Sequence, residues 1–205
     1  MNIDYVIGSL QKWEQIRQNS PALLNYLNQG NCFKFTNHHY PESSNYRHAY
    51  PGIYEGKLKM FVIPSAYDNK LTKDIASYIE VCDVFYDPMP IYNPMHKNDR
   101  ISFVTAERRV DRWDEDYTKW VPKKVATKEG IFQAFAIPSQ DFETNIVKVR
   151  FGLQQDKGIE NPENFNADMI VACDDGTKVY EDFSTPVPPY GKDTPASGFY
   201  LLSQA

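Results

Sequence analysis

Asp168-Met169-Ile170-Val171-Ala172-Cys173-Asp174-Asp175-Gly176-Thr177-Lys178-Val179-Tyr180-Glu181-Asp182-Phe183 is the stretch on which the fold turns. Two apolar, β-branched runs flank Asp175-Gly176, a dipeptide that accepts the positive φ angles of a tight hairpin turn. The stretch predicts two antiparallel strands, 168–173 and 177–183. Just upstream, Val147, Val149, Phe151 and Leu153 alternate with Lys148 and Arg150. That period of two predicts a strand with one buried face and one face toward water. Ile101 to Thr105 and Ile131 to Ile137 read as further strands, so the second half of the chain is sheet-rich.

Helical spacing dominates the first thirty residues. Val6, Leu10, Trp13 and Arg17, with Ile16 beside them, fall at i, i+4, i+7 and i+11. Ser20-Pro21 reads as a cap followed by a first-turn proline, Leu23, Leu24 and Leu27 as a buried face, and Gly30 as a stop. Cys32 to Thr36 and Lys57 to Ile63 read as strands, with a polar loop over 37–52 between them. Ile75, Tyr78, Ile79 and Cys82 predict a helix over 70–82. The expected class is α+β: N-terminal helices packed on a mostly antiparallel, hairpin-built sheet with long Pro-rich loops.

The chain reads as a single domain over 1–205, with a helical segment 1–30 and a mixed body 31–183. Three prolines within 87–99 make that loop a possible boundary, and 184–198 is expected to be extended and outside any sheet. The final Phe199-Tyr200-Leu201-Leu202 is expected to dock as a strand. Glu55-Gly56, Phe61 and Ile63-Pro64-Ser65 recur 74 residues later as Glu129-Gly130, Phe135 and Ile137-Pro138-Ser139. About 0.4 such matches arise by accident in a chain of this length, so two strands ended by proline turns is the better explanation than duplication.

Composition bounds the function. Of 205 residues 41% are hydrophobic and 24% charged, which suits a folded domain that needs neither disulfide nor metal for its core. Lys and Arg number 22 against 27 Asp and Glu, a net charge of −5, which argues against an electrostatic nucleic-acid binder. No apolar run reaches membrane-spanning length, and Glu14 and Arg17 interrupt any signal-peptide core. Cys32, Cys82 and Cys173 lie in apolar runs without metal spacing, so buried reduced thiols and a cytoplasmic location are expected. Nucleotide-binding glycine loops, H-E-x-x-H and G-x-S-x-G are all missing from the sequence, and no cofactor is expected.

Three groups of residues stand out. His38, His39, His48 and Glu42 are candidate metal ligands because imidazole is the commonest one, but adjacent histidines of an extended chain point apart. The expectation is a solvated loop with no metal. Val110, Trp113, Tyr117 and Trp120 share one face of a helix over 106–121 that Pro122 should end. That stripe reads first as core and second as a partner-facing patch. Tyr46, Tyr50 and Tyr54, together with Tyr40, Tyr86 and Tyr92, read as loop aromatics suited to recognition. The leading functional expectation is a non-catalytic binding or assembly protein with a protein partner or self-association, and no nucleic acid or membrane. The alternatives are a metal-dependent or acid/base enzyme using the 37–48 loop, and a carbohydrate or small-molecule binding module.

Overall fold

The computed structural model describes residues 2–37, 44–88, 101–139, 142, 144–155, 164–173, 180–181, 184–189 and 198–205. Two antiparallel sheets share one apolar interior, each with a helix on its outer face, so the class is α+β. The first sheet, sheet A, has the order β1 (Cys32–Thr36), β6 (Ile146–Gln155), β7 (Phe165–Cys173), β8 (Tyr180–Glu181). Sheet B has the order β4 (Glu80–Asp83), β3 (Lys57–Pro64), β2 (Tyr46–Tyr54), β5 (Ala134–Pro138), β9 (Thr185–Val187).

Alternation along the strands builds the layers. Phe33 and Phe35 of β1, Val147 to Leu153 of β6, and Ala167 to Val171 of β7 send alternate side chains inward. They meet Ala49 and Ile53, Leu58, Met60 and Val62, and Phe135 and Ile137 from sheet B. The other face of sheet B carries Tyr50, Phe61, Ile63, Ala134 and Ala136, covered by Val6 and Leu10 of α1 (Ile3–Ile16). Asn2 caps α1 by accepting from the Asp4 amide, and Trp13 reaches past the sheet to donate its indole N–H to Phe132 O at 3.0 Å. The other face of sheet A receives α3 (Phe103–Val125), whose Phe103, Ala106 and Val110 lie on Ile170 and Ala172. Further along, Trp113 and Trp120 turn into the inter-sheet core, and α2 (Ser20–Leu27) packs its Leu23 and Leu27 there.

The sandwich is sewn along β1. Its free edge takes a bridge between Cys32 and Phe85, and the Thr36 amide donates to the Glu80 carboxylate at 3.0 Å. Those contacts satisfy edge donors that would otherwise invite another strand. Gly30 is required there, because a Cβ would run into the Phe85 backbone. It is therefore no helix stop: α2 already ends at Leu27 with Asn28 as its C-cap, and its N-cap is Asn19 rather than Ser20.

Several sequence expectations are corrected. Residues 46–52 are not loop but most of β2, whose partner β3 follows through a two-residue turn at Glu55-Gly56 with φ of 49° and 73°. Pro51 is tolerated because β5 pairs with β2 only from Tyr46 to Ala49, leaving an edge beyond. Residues 70–82 hold a 3-10 turn, Ile75–Tyr78, and then β4, because Tyr78 stacks on Tyr67 at 3.8 Å while Val81 and Cys82 pair into sheet B. Ile101 to Thr105 opens α3 instead of forming a strand, with Ser102 capping the Thr105 amide. The helix runs through Pro122 to Val125, where Val121 still packs in the core. Thr185–Val187 joins sheet B despite Pro186, at the edge where a missing N–H costs nothing. The C-terminus docks as a 3-10 turn, Tyr200–Gln204, not a strand.

The hairpin of β7 and β8 is present, pairing Val171 with Glu181 and Ala172 with Tyr180; the Asp175-Gly176 turn lies outside the described residues. The 74-residue similarity is no structural repeat. Phe61 and Ile63 face α1, whereas Phe135 and Ile137 face the opposite way, into the inter-sheet core. Among the described residues no helix is long and apolar enough to cross a membrane.

Candidate functional site

Among the described residues, three groups of buried polar side chains each gather around one carboxylate. The first lies on the outer face of sheet B. Asp68, whose side chain is fully enclosed, accepts from His48 Nδ1 at 2.7 Å and from the Tyr50 hydroxyl through Oδ2, and from the Leu201 amide at 3.1 Å through Oδ1. Nδ1 is assigned the proton because a carboxylate can only accept. Phe199 stacks on the imidazole with centroids 4.2 Å apart. An aspartate on Nδ1 fixes the ring and its tautomer. Here the fixed ring is roofed by Phe199, so the cluster ties the C-terminal turn to β2.

The second cluster joins α3 to β7. Asp168, 1% exposed, accepts from Arg109 at 2.8 Å, from Ser184 at 2.9 Å and from the Met169 amide at 2.8 Å. A carboxylate with this many donors is satisfied in the interior.

The third cluster is less balanced, and it is the candidate site. Lys34 on β1 sits directly across from Lys148 on β6, and Arg150 is two residues on; all three face outward from sheet A. Like charges at opposed strand positions repel. Asp87 Oδ2 bridges two of them, taking Lys148 Nζ at 3.0 Å and also Arg150 Nη2. Burial alone would push the Asp87 carboxyl up, but the hydrogen bond from Lys148 and the charges of Arg150, Lys148 and Lys34 outweigh it and hold it below the usual range. Asp87 therefore adds stability that is present above its unfolded pKa and is lost as pH falls through the lowered folded value. Its backbone amide donates to Asn31 Oδ1, and Asn31 Nδ2 donates to both oxygens of Asp114 on α3 at 3.0 Å. Burial, with Asp111 nearby, raises the Asp114 carboxyl despite the Asn31 hydrogen bond and the Arg150 charge.

Arg150 is 2% exposed, and its Nε–H has no acceptor. The alternating pattern placed this arginine on the correct face but in water. The 84–88 segment that covers it is more than sixty residues away in sequence, so no local signal marks the burial.

The sequence-predicted residues are scattered. Trp113 and Trp120 are core residues, and Tyr117 packs against Trp113 while donating its hydroxyl to Asn28 at 3.0 Å. Tyr46, Tyr50 and Tyr54 are not loop aromatics: they lie on β2, where Tyr50 is fully buried and Tyr54 packs on Tyr5 at 4.1 Å. His48 is the Asp68 partner, while His38, His39 and Glu42 lie outside the described residues. Among the described residues no three His, Cys, Asp or Glu side chains are grouped to hold a metal ion.

Cys32 and Cys82 are buried free thiols. Burial pushes Cys32 up to about 12 despite the nearby charge of Arg150, and burial likewise raises Cys82 well above an ordinary thiol. The thiolate is the reactive form, so iodoacetamide at mildly alkaline pH should leave both unmodified in the native protein. Both should react once denaturant is added, with peptide mass mapping as the readout; native alkylation of either would contradict their enclosure.

No protein-family model, no curated protein and no solved structure matches this chain.

Proposed function

We propose that the chain is a non-catalytic assembly protein that pairs with a second copy of itself through the outer side of sheet A. The observation that carries this reading is the placement of opposite charges on that one side. Glu107, Asp111 and Glu115 are spaced i, i+4 and i+8 on α3, lining a surface groove of about 380 Å³ together with Asp116, Arg108, Arg112 and Val104. Like charges at that spacing disfavour a helix by about 0.2–0.5 kcal/mol per pair. Beside the helix, on the same face, stand Lys34 and Lys148 with the Arg150 charge beneath them. Arg112 is already engaged, lying 4.4 Å over the Phe165 ring. Val104, half-exposed at the head of the helix, supplies an apolar contact.

A two-fold axis between patch and helix sets each cationic patch against the other copy's acidic stripe, the self-complementary arrangement of a C2 dimer. Sedimentation velocity should detect a dimer that dissociates as salt rises from about 0.1 M to about 1 M, which shortens the screening length from about 10 Å to about 3 Å. Lys34→Glu, at an exposed position, should weaken association by about tenfold, or 1.4 kcal/mol. A monomer at all salt concentrations, or a dimer indifferent to salt, would contradict the reading.

A further inference from the structure

The cluster beneath Lys34 has a second property that assembly does not require. A guanidinium presents five N–H donors in a planar fork suited to an oxyanion. Arg150 spends Nη2 on Asp87 Oδ2 and on Pro88 O at 3.4 Å, and its buried Nε–H finds nothing. Leaving such a donor unsatisfied in the interior is unfavourable, and native structures seldom do so without a reason. Lys148 competes for the same Asp87 oxygen, so two cations are concentrated on one atom, with Lys34 adding a third charge across the strand pair. The Asp87 oxygen meets one arm of the Arg150 fork and leaves the neighbouring Nε–H without an acceptor. A tetrahedral oxyanion, with several oxygens and a higher charge, could bond the fork and the lysine together.

We propose that the Arg150–Lys148–Lys34 cluster is a binding seat for a tetrahedral oxyanion, either free phosphate or a phosphomonoester, and that Asp87 is the resident anion it displaces. The binding step is an exchange of ionic partners: the Asp87 carboxylate leaves Arg150 and Lys148, remains ionised, and moves into solvent, while phosphate oxygens accept from the arginine fork and the lysine ammonium. No covalent bond changes. The exchange depends on the fold of one chain and stands apart from self-association.

Thermal melting of the full chain, diluted until monomeric, tests it. The titrants are inorganic phosphate and O-phosphoserine, with sodium chloride at matched ionic strength as the reference. A ligand that binds only the folded state raises Tm along a saturable curve. The wild type should show that rise with phosphate beyond the chloride reference, and Asp87→Asn, which removes the competitor's charge, should show it at a concentration about tenfold lower. Lys148→Ala in the Asp87→Asn background should restore the higher requirement. A comparable response to O-phosphoserine would extend the ligand to phosphomonoesters, and a response to phosphate alone would restrict the seat to the free ion. If Asp87→Asn folds poorly, the test rests on the wild type and Lys148→Ala, where the single change should shift the curve to higher phosphate. No phosphate-specific rise in the wild type, or equal rises in all variants, would overturn the proposal and leave Asp87 as a structural counter-ion.

Discussion

Trp113→Ala should destabilise the fold by about 3–5 kcal/mol in urea denaturation, the range for removing a buried large aromatic side chain. The indole is 1% exposed and is surrounded by Phe151 at 5.1 Å, Tyr117 at 5.8 Å and Trp120 at 5.9 Å between ring centroids. It also stands where α3 crosses from the outer face of sheet A into the inter-sheet core, so the void opens among three elements that cannot close on it independently. Trp120 cannot compensate, because its own indole N–H is held by Phe165 O at 2.8 Å. A loss below about 1 kcal/mol, the level of a surface substitution, would mean that the tryptophan does not pack as described.

Asp68→Ala should cost a comparable amount, about 3–5 kcal/mol, because three buried donors lose their acceptor together. Truncation removes the acceptor shared by the Nδ1–H of His48, the hydroxyl of Tyr50 and the amide of Leu201. Asp68→Asn keeps the volume and one acceptor, and should lose less. Hydrogen exchange separates this from a general weakening: the Leu201 amide should lose protection first, because the Asp68 contact is its tie to sheet B. Unchanged exchange at Leu201 in Asp68→Ala would contradict the role of the cluster in docking the C-terminal turn. Trp113 lies in one apolar cluster and Tyr50 and Leu201, the partners of Asp68, in another, so the two losses should add in the double variant.

Elements whose residues repeat with one clean period were legible in the sequence. The stripe Val6, Leu10, Trp13 marked α1, and the alternation from Val147 to Leu153 marked β6. The β-branched run before Asp175-Gly176 marked the hairpin of sheet A. Strand β2 was hidden because Arg47, His48, Pro51 and Gly52 carry loop chemistry. Their burial is made possible by partners far along the chain, such as Asp68 for His48 and the Phe142 ring 5.6 Å from the Arg47 guanidinium. The spacing of Ile75, Tyr78, Ile79 and Cys82 fits a helix, yet the same residues serve two faces once β4 pairs with β3. At the candidate site, Lys148 and Arg150 were read correctly as one face of a strand. Nothing local could show that Asp87 covers them, or that Lys34 joins them across the sheet. The carboxylates of α3 are interspersed with Arg108, Arg109 and Arg112 along the chain, and their position beside those cations is a product of the fold.

A charge exchange decides whether opposite charges on one side of sheet A pair two copies of the chain, as proposed. Lys34→Glu and Asp111→Lys/Glu115→Lys each place like charges against one another in a homodimer, so each variant alone should bind itself at least about tenfold more weakly and sediment as a monomer at a concentration where the wild type is still dimeric. Mixed in equal amounts, they present complementary charges at both halves of the interface, and the mixture should sediment as a dimer that high salt dissolves. If the mixture remains monomeric while the wild type dimerises, or if each variant dimerises alone as the wild type does, that side of sheet A is not the interface.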